Sequence, residues 1–413
     1  MSRVCLGQRT TVGLKGLKMR KSLESYKKLF EEELFERCVP FWLQNGPDRE
    51  CGGLLHCLDR EGKLFSTDKG VWMQGRCGWM FANLYNELEP RPEYLKLSAE
   101  SIAFARKHCF APDGRMYQTV TREGLPVESC TQWFSETFYL SANAELYLAT
   151  KESSYLEEAK RVYDFVWQMY QDPATDPRKG PGFGKGFARQ TKAFAEPMIL
   201  LNVTGILRAA DPDREHYYNQ NADRLFEDIR AFHSDEYHGT LEQISTDNRI
   251  ILEAATCRVC NPGHDMECAW FLLEEGIYRG KEEMIRFAQT MFDDAYEMGL
   301  DREYGGILYN RDITGAPVEA YEQDMKIWWV HNEAIIASLM LYQHTGKEKY
   351  RTIFEEMTEY SFSHFSDPEF GEWCASLRRE GAPNEPSMKG FLYKGPFHVM
   401  RMLVKCIKLL AKD

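Results

Sequence analysis

The chain has 413 residues, 43% hydrophobic and 28% charged, with a formal net charge of −12. This composition excludes wholesale disorder, and the acidic balance excludes a nucleic-acid binder with a general basic footprint. No run of about 18 uncharged apolar residues occurs, so no membrane-spanning helix is expected. Twelve cysteines are too sparse for a disulfide scaffold and read as reduced thiols of a cytoplasmic protein. Cys257-Arg-Val-Cys260 is a lone CxxC pair, and no metal site is expected.

Residues 1–21 carry six basic residues and no acid, without the apolar core of a signal peptide. We read 1–18 as a disordered leader and 19–413 as one catalytic domain. Helical periodicity, with apolar residues at i, i+3 and i+4, then appears over residues 23–44, 71–88, 93–110, 135–149, 155–170 and 192–209. It continues over 214–233, 264–278, 281–298, 325–344, 347–365 and 396–410. These are twelve helices, the even-numbered ones more apolar than the odd. Between them recur Gly-containing hairpin segments: Cys51-Gly-Gly-Leu-Leu-His, Asp113-Gly-Arg-Met-Tyr, Tyr237-His-Gly-Thr-Leu-Glu, Tyr304-Gly-Gly-Ile-Leu-Tyr and Phe370-Gly-Glu-Trp-Cys. Arg60-Glu-Gly, Arg122-Glu-Gly and Arg379-Glu-Gly repeat as turns. A spacing of roughly 55–70 residues between glycines 53, 114, 182, 239, 306 and 371 is the signature of a repeat architecture. Six helical hairpins that cannot each bury an apolar face alone predict an all-α, closed (α/α)6 barrel with short β-hairpins in its connecting loops. Gly180-Pro-Gly-Phe-Gly-Lys-Gly imitates a phosphate loop, but no Ser or Thr follows the Lys and no buried strand precedes it.

In such a barrel the starts of the even helices gather at one mouth. Arg76, Glu136, His264, His331 and His398 lie near those starts and are expected to converge on a cavity. His264 follows Asn261-Pro-Gly, with Glu267 one turn on; a helix start helps keep its ring neutral and basic. His398 follows Gly395-Pro, with Arg401 one turn on. Arg76 sits in an apolar segment, and a buried Arg needs a partner, either a carboxylate or a substrate oxygen; Gly75 leaves space beside it. Lys326-Ile-Trp-Trp-Val-His-Asn-Glu333 sets Trp329 and Glu333 together, an apolar face for a sugar ring beside a carboxylate for its hydroxyls. No nucleophile constellation stands out. Two histidines on opposite sides of a mouth suit proton transfer at carbon, one removing a proton and the other returning it on the opposite face, with Arg76 stabilising the enediolate oxygen. That count favours epimerisation over aldose–ketose isomerisation.

These residues resemble the N-acylglucosamine 2-epimerase (renin-binding protein) family over residues 23–410. The resemblance rests on Val71-Trp-Met-Gln-Gly-Arg76, Val120-Thr-Arg-Glu-Gly, Phe134-Ser-Glu136, Ala195-Glu-Pro-Met-Ile-Leu-Leu, Asn261-Pro-Gly-His-Asp-Met-Glu-Cys-Ala-Trp-Phe, Lys326-Ile-Trp-Trp and Phe397-His-Val. It implies an (α/α)6 barrel, a homodimer and interconversion of N-acetylglucosamine and N-acetylmannosamine. It also implies His264 and His398 as the acid/base pair, with Arg76, Glu267 and Arg401 lining the sugar site. ATP acts in the family as an activator that is not consumed, and no other cofactor is required. Met400 departs from the family, which carries Pro between the Val and the Arg. The alternative is a 2-epimerase or isomerase of unsubstituted sugars such as cellobiose or mannose. Those relatives carry a further histidine on the sixth helix, where this chain has none. A glycoside hydrolase using two of Glu136, Glu267 and Glu333, and a protein-binding module, are more distant readings.

Overall fold

The computed structural model describes residues 21–178 and 190–411; the basic leader and the Gly180–Gly186 segment lie outside the described residues. Helix α1 runs through Leu23–Glu32, a π-helical stretch Glu33–Cys38 and Val39–Asn45. Then follow α2 (Val71–Glu87), α3 (Pro92–His108), α4 (Phe134–Thr150), α5 (Ser153–Gln171) and α6 (Ala195–Ala210). The second half holds α7 (Glu215–Arg230), α8 (Pro262–Arg279), α9 (Glu282–Gly299), α10 (Trp328–Thr345), α11 (Glu348–His364) and α12 (His398–Leu410). Each predicted helix is present, its ends displaced by a few residues at most.

Sequence decides which helices lie inside. α9 buries Met284, Ile285, Ala288, Met291, Phe292 and Ala295 on one stripe, so its other face meets water. α10 is buried continuously from Trp328 to Leu341, and a helix apolar all round must be enclosed. The even helices form the inner ring, each packed on the next, with α12 returning to α2. The odd helices cover them. α1 packs on α12, so the two ends of the chain build one hairpin and close the barrel. This is the expected (α/α)6 architecture, with short antiparallel strand pairs in its loops.

The repeated loop motif has a repeated electrostatic cause. Asp48, Asp301 and Asp367 each turn the chain by accepting from two backbone N–H groups just downstream, at 3.0–3.4 Å. Each also carries a buried lysine: Lys69 at 2.9 Å, Lys326 at 3.2 Å and Lys389 at 3.0 Å. Each receives a forked arginine from a neighbouring Arg-Glu-Gly turn: Arg122 on Asp48, Arg379 on Asp301 and Arg60 on Asp367. The third of these joins the first loop of the chain to its last, so one device both links the units and closes the ring. Burial works to raise the Asp301 carboxyl, but Arg379, the turn amides and Lys326 hold it down at about 2. Two-fold guanidinium–carboxylate bonds of this kind combine strength with fixed orientation.

Candidate active site

α8 starts at Asn261, whose side chain accepts from the backbone N–H of Gly263 and His264, with Pro262 in the first turn. Pro supplies the helical φ and lacks the N–H that a first turn leaves unpaired. A Cβ on Gly263 would lie 2.7 Å from Trp329, so the missing side chain lets the start of α8 press on α10. His264 packs on Trp329 with ring centroids 5.1 Å apart, and His398 packs on the same indole at 5.7 Å. One tryptophan thus joins two imidazoles that are 134 positions apart in the chain.

Both rings are held through Nδ1 by a carboxylate. His264 bonds Glu242 at 2.8 Å, and His398 bonds Glu333 at 2.8 Å. Glu333 also accepts from Arg401 at 2.7 Å and from the Trp270 indole N–H at 2.8 Å. Arg401 bonds Glu267 as well, so Glu267, Arg401, Glu333 and His398 form one buried chain. The neighbours make the two histidines unequal. Burial works against charging His264, but Glu242, with Glu267 and Glu333 beyond it, overcomes that and raises the ring above its ordinary value. The neutral ring expected from the helix start alone is corrected by this carboxylate. Burial, Arg401 and Arg76 push His398 well below its ordinary value. In the free protein His264 therefore holds a proton more readily than His398 does.

Arg76 is buried over Phe138 and Phe397, its guanidinium carbon 4.3 Å and 4.9 Å from their ring centres. Its Nη1 donates to the Tyr393 carbonyl at 3.1 Å, and its Nε has no partner. Burial lowers it to about 9, so it remains cationic at neutral pH. Among the described residues no carboxylate is ion-paired with it, which favours the substrate-oxygen alternative. Gly75 does not leave ligand space, however: a Cβ there would strike the α4 backbone at Phe138 and Tyr139 within 2.7–2.8 Å. That glycine serves helix–helix approach.

Two of the expected mouth residues are corrected by the structure. Glu136 accepts from Arg115 at 2.6 Å and from the Met116 N–H at 2.8 Å, and Arg115 also pairs with Asp176. Its Oε1 is committed to that cluster, while its Oε2 is buried without a hydrogen-bond partner. His331 accepts the Ile307 N–H at 3.0 Å on Nε2 and bonds the Ile327 carbonyl at 2.9 Å through Nδ1. Gln74 does the same work for Leu54, at 2.8 Å. Gln74, Glu136 and His331 thus anchor equivalent hairpins from equivalent first turns of inner helices. Conversely, Glu242 was missed. It stands three residues after the marker Gly239, the register of His56 after Gly53 and Tyr309 after Gly306; Tyr309 itself packs edge-on to Trp329 at 6.1 Å. The repeat register is the signal that would have found it.

Among the described residues, one group could offer a metal three ligand atoms within 4.8 Å of one another: Glu267, Glu333 and His398. The Arg401 guanidinium already donates to both carboxylates and offsets one of their two negative charges. Cys257 and Cys260 are not joined in a disulfide, and neither belongs to that group. From the other end of the barrel a cavity of about 650 Å³, bordered by Asn83, Glu145, Arg208 and Lys405, reaches Phe397 and Arg401.

The sequence model of the N-acylglucosamine 2-epimerase family matches residues 53–400. The N-acylglucosamine 2-epimerase of Mus musculus is 34% identical over 403 residues, covering 95% of this chain and 94% of that protein. The Homo sapiens protein of that name is 35% identical over 405 residues, covering 95% and 92%. The solved cellobiose 2-epimerase from Spirochaeta thermophila superposes with a TM-score of 0.81 at 19% identity, covering 96% of this chain and 99% of that one. The chain belongs to the N-acylglucosamine 2-epimerase family and is an isomerase of the epimerase type.

Proposed function

We propose that the chain interconverts N-acetylglucosamine and N-acetylmannosamine by moving the C2 proton of the open-chain sugar between His264 and His398. The observation that carries this is the pair of imidazoles on one tryptophan, each with Nδ1 on a carboxylate and Nε2 left for substrate. The names of the mammalian relatives supply the substrate class. One imidazole takes the proton from C2, and the C2–H electron pair passes through C1 to the aldehyde oxygen. Arg76, with no carboxylate of its own, receives the developing negative charge on that oxygen. The other imidazolium returns a proton to the opposite face of C2, and the two rings re-equilibrate through water. The step conserves electrons and needs no redox cofactor. Trp329 offers an apolar surface to the sugar, and Glu267, Glu333 and Arg401 hold the imidazole of His398 and the hydroxyls. An acetamido group at C2 excludes conversion to a simple 2-ketose, so this substrate permits epimerisation alone. Homodimer formation and activation by ATP belong to the same proposal.

Incubation with N-acetylmannosamine in deuterium oxide, with ATP present, tests it. We expect deuterium at C2 and accumulation of N-acetylglucosamine. Folded protein that yields neither contradicts it, and turnover of mannose or cellobiose in preference selects the unsubstituted-sugar alternative.

A further inference from the structure

We propose that Glu242 is the positioning residue of the acid/base pair: its carboxylate fixes His264 with Nδ1–H on itself and Nε2 directed to the substrate. The inference deepens the proposed epimerase reading and rests on it. Glu242 is itself rigidly placed. Its N–H donates to the Val259 carbonyl at 2.9 Å, and its carbonyl accepts from the Phe194 N–H at 3.0 Å. It therefore ties the strand leading into α8 to the start of α6. The ring it holds is braced on the other side by Trp329. Glu333 holds His398 in the same way, but Glu333 shares its charge with Arg401. Glu242 differs: among the described residues, its one ion-pair partner is His264. The two side chains are 23% and 26% exposed, open enough to meet a ligand and to exchange protons with water. The groups acting on His264 are Glu242 from its loop, Glu267 from its own helix, Glu333 from α10 and His398 from α12, with Asp265 behind Glu242. Of these, Glu242 is the carboxylate in contact with the ring. A neutral His264 is thereby held in the tautomer whose Nε2 lone pair accepts a proton from C2, and a charged His264 donates from that same atom. Tautomer control by an Nδ1 acceptor is a general device of histidine catalysis.

Glu242→Gln keeps an acceptor for Nδ1–H and removes the charge; Glu242→Asp restores the charge one methylene short. The imidazole Cε1–H signal of His264, titrated by NMR in the unliganded full-length protein, is to be compared with the pH profile of N-acetylmannosamine turnover. For Glu242→Gln we expect the His264 midpoint to fall by about one unit, and the alkaline limb of kcat/KM to move down with it. We expect kcat to drop about tenfold with KM little changed, and Glu242→Asp to recover part of both. A folded Glu242→Gln protein with an unmoved His264 midpoint and an unmoved alkaline limb overturns the proposal, as does a loss confined to KM. A wild-type protein that epimerises nothing, yet shows the NMR shift on Glu242→Gln, leaves the positioning role standing and removes the epimerase reading instead.

Discussion

The His264–Glu242 and His398–Glu333 pairs have the same local geometry, an Nδ1–carboxylate bond of 2.8 Å beside a shared tryptophan. They differ in what stands behind the carboxylate. Behind Glu333 lie Arg401 and the Trp270 N–H in a fully buried setting. Glu242 is partly exposed. A carboxylate already neutralised by a guanidinium does little to hold a proton on its histidine, whereas one without a competing cation does much. Two locally alike pairs thus differ in how readily the ring takes a charge, through burial and through the cations around His398.

The largest effect expected from breaking this arrangement is loss of either imidazole. His264→Ala or His398→Ala should lower kcat by about a hundredfold or more, as for a lost general acid or base, measured by product formation at saturating sugar. Next comes Glu333→Gln, which leaves Arg401 with Glu267 as its one carboxylate and takes the charged acceptor from His398. Losing hydrogen bonds to a charged group costs about 1.5–3 kcal/mol, to be read as a lower midpoint in denaturant titration. Glu242→Gln, partly exposed and free of such a network, should cost under about 1 kcal/mol in the same titration. Glu136→Gln should destabilise through Arg115 while leaving kcat/KM per folded molecule unchanged; a selective loss of kcat/KM would return Glu136 to the sugar site. The pH dependence follows the same contrast. His398 is lowered and His264 raised, so between the two midpoints one ring is neutral and the other charged. The acid limb of kcat/KM should lie below, and the alkaline limb above, the ordinary histidine value of about 6.5. Smallest is the response of the loop clamps. Asp301, held at about 2 against its ordinary 3.8, contributes stability that is fully present above about pH 4 and lost as pH falls toward 2.

The barrel was legible because its causes are periodic. An apolar stripe as on α9 and an all-round apolar helix such as α10 read directly as outer and inner members, and the Gly-marked loops announced six units. Closure of the ring was expected from the six units, but nothing local in α1 or α12 says that these two make the closing contact. Of the candidate site, the gathering of His264, His398, Arg401 and Arg76 in one place was legible, because residue type and position agreed there. Legibility failed where one repeat position admits two roles. Glu136 and His331 stand at inner-helix starts, but in the structure that position accepts a hairpin N–H, as Gln74 shows. Glu242 escaped because it lies in the weakest copy of the loop motif, where no helix pattern points to it. The Asp–Lys–Arg clamps make the converse point: their charges are all paired, while Arg76 and Arg401 each keep an unpartnered Nε. A buried charge that its own protein leaves unfinished is the better sign of a binding role.

In the proposed reaction each imidazole serves one face of a single carbon, which single-histidine proteins can reveal. His264→Ala and His398→Ala, each incubated separately with N-acetylglucosamine and with N-acetylmannosamine in deuterium oxide, report which C2–H still exchanges. The account predicts that neither variant inverts C2 at an appreciable rate, and that each exchanges the C2 proton of one epimer only, the opposite epimer in the two variants. Exchange of the same epimer by both variants, or inversion at the wild-type rate by either, would contradict it.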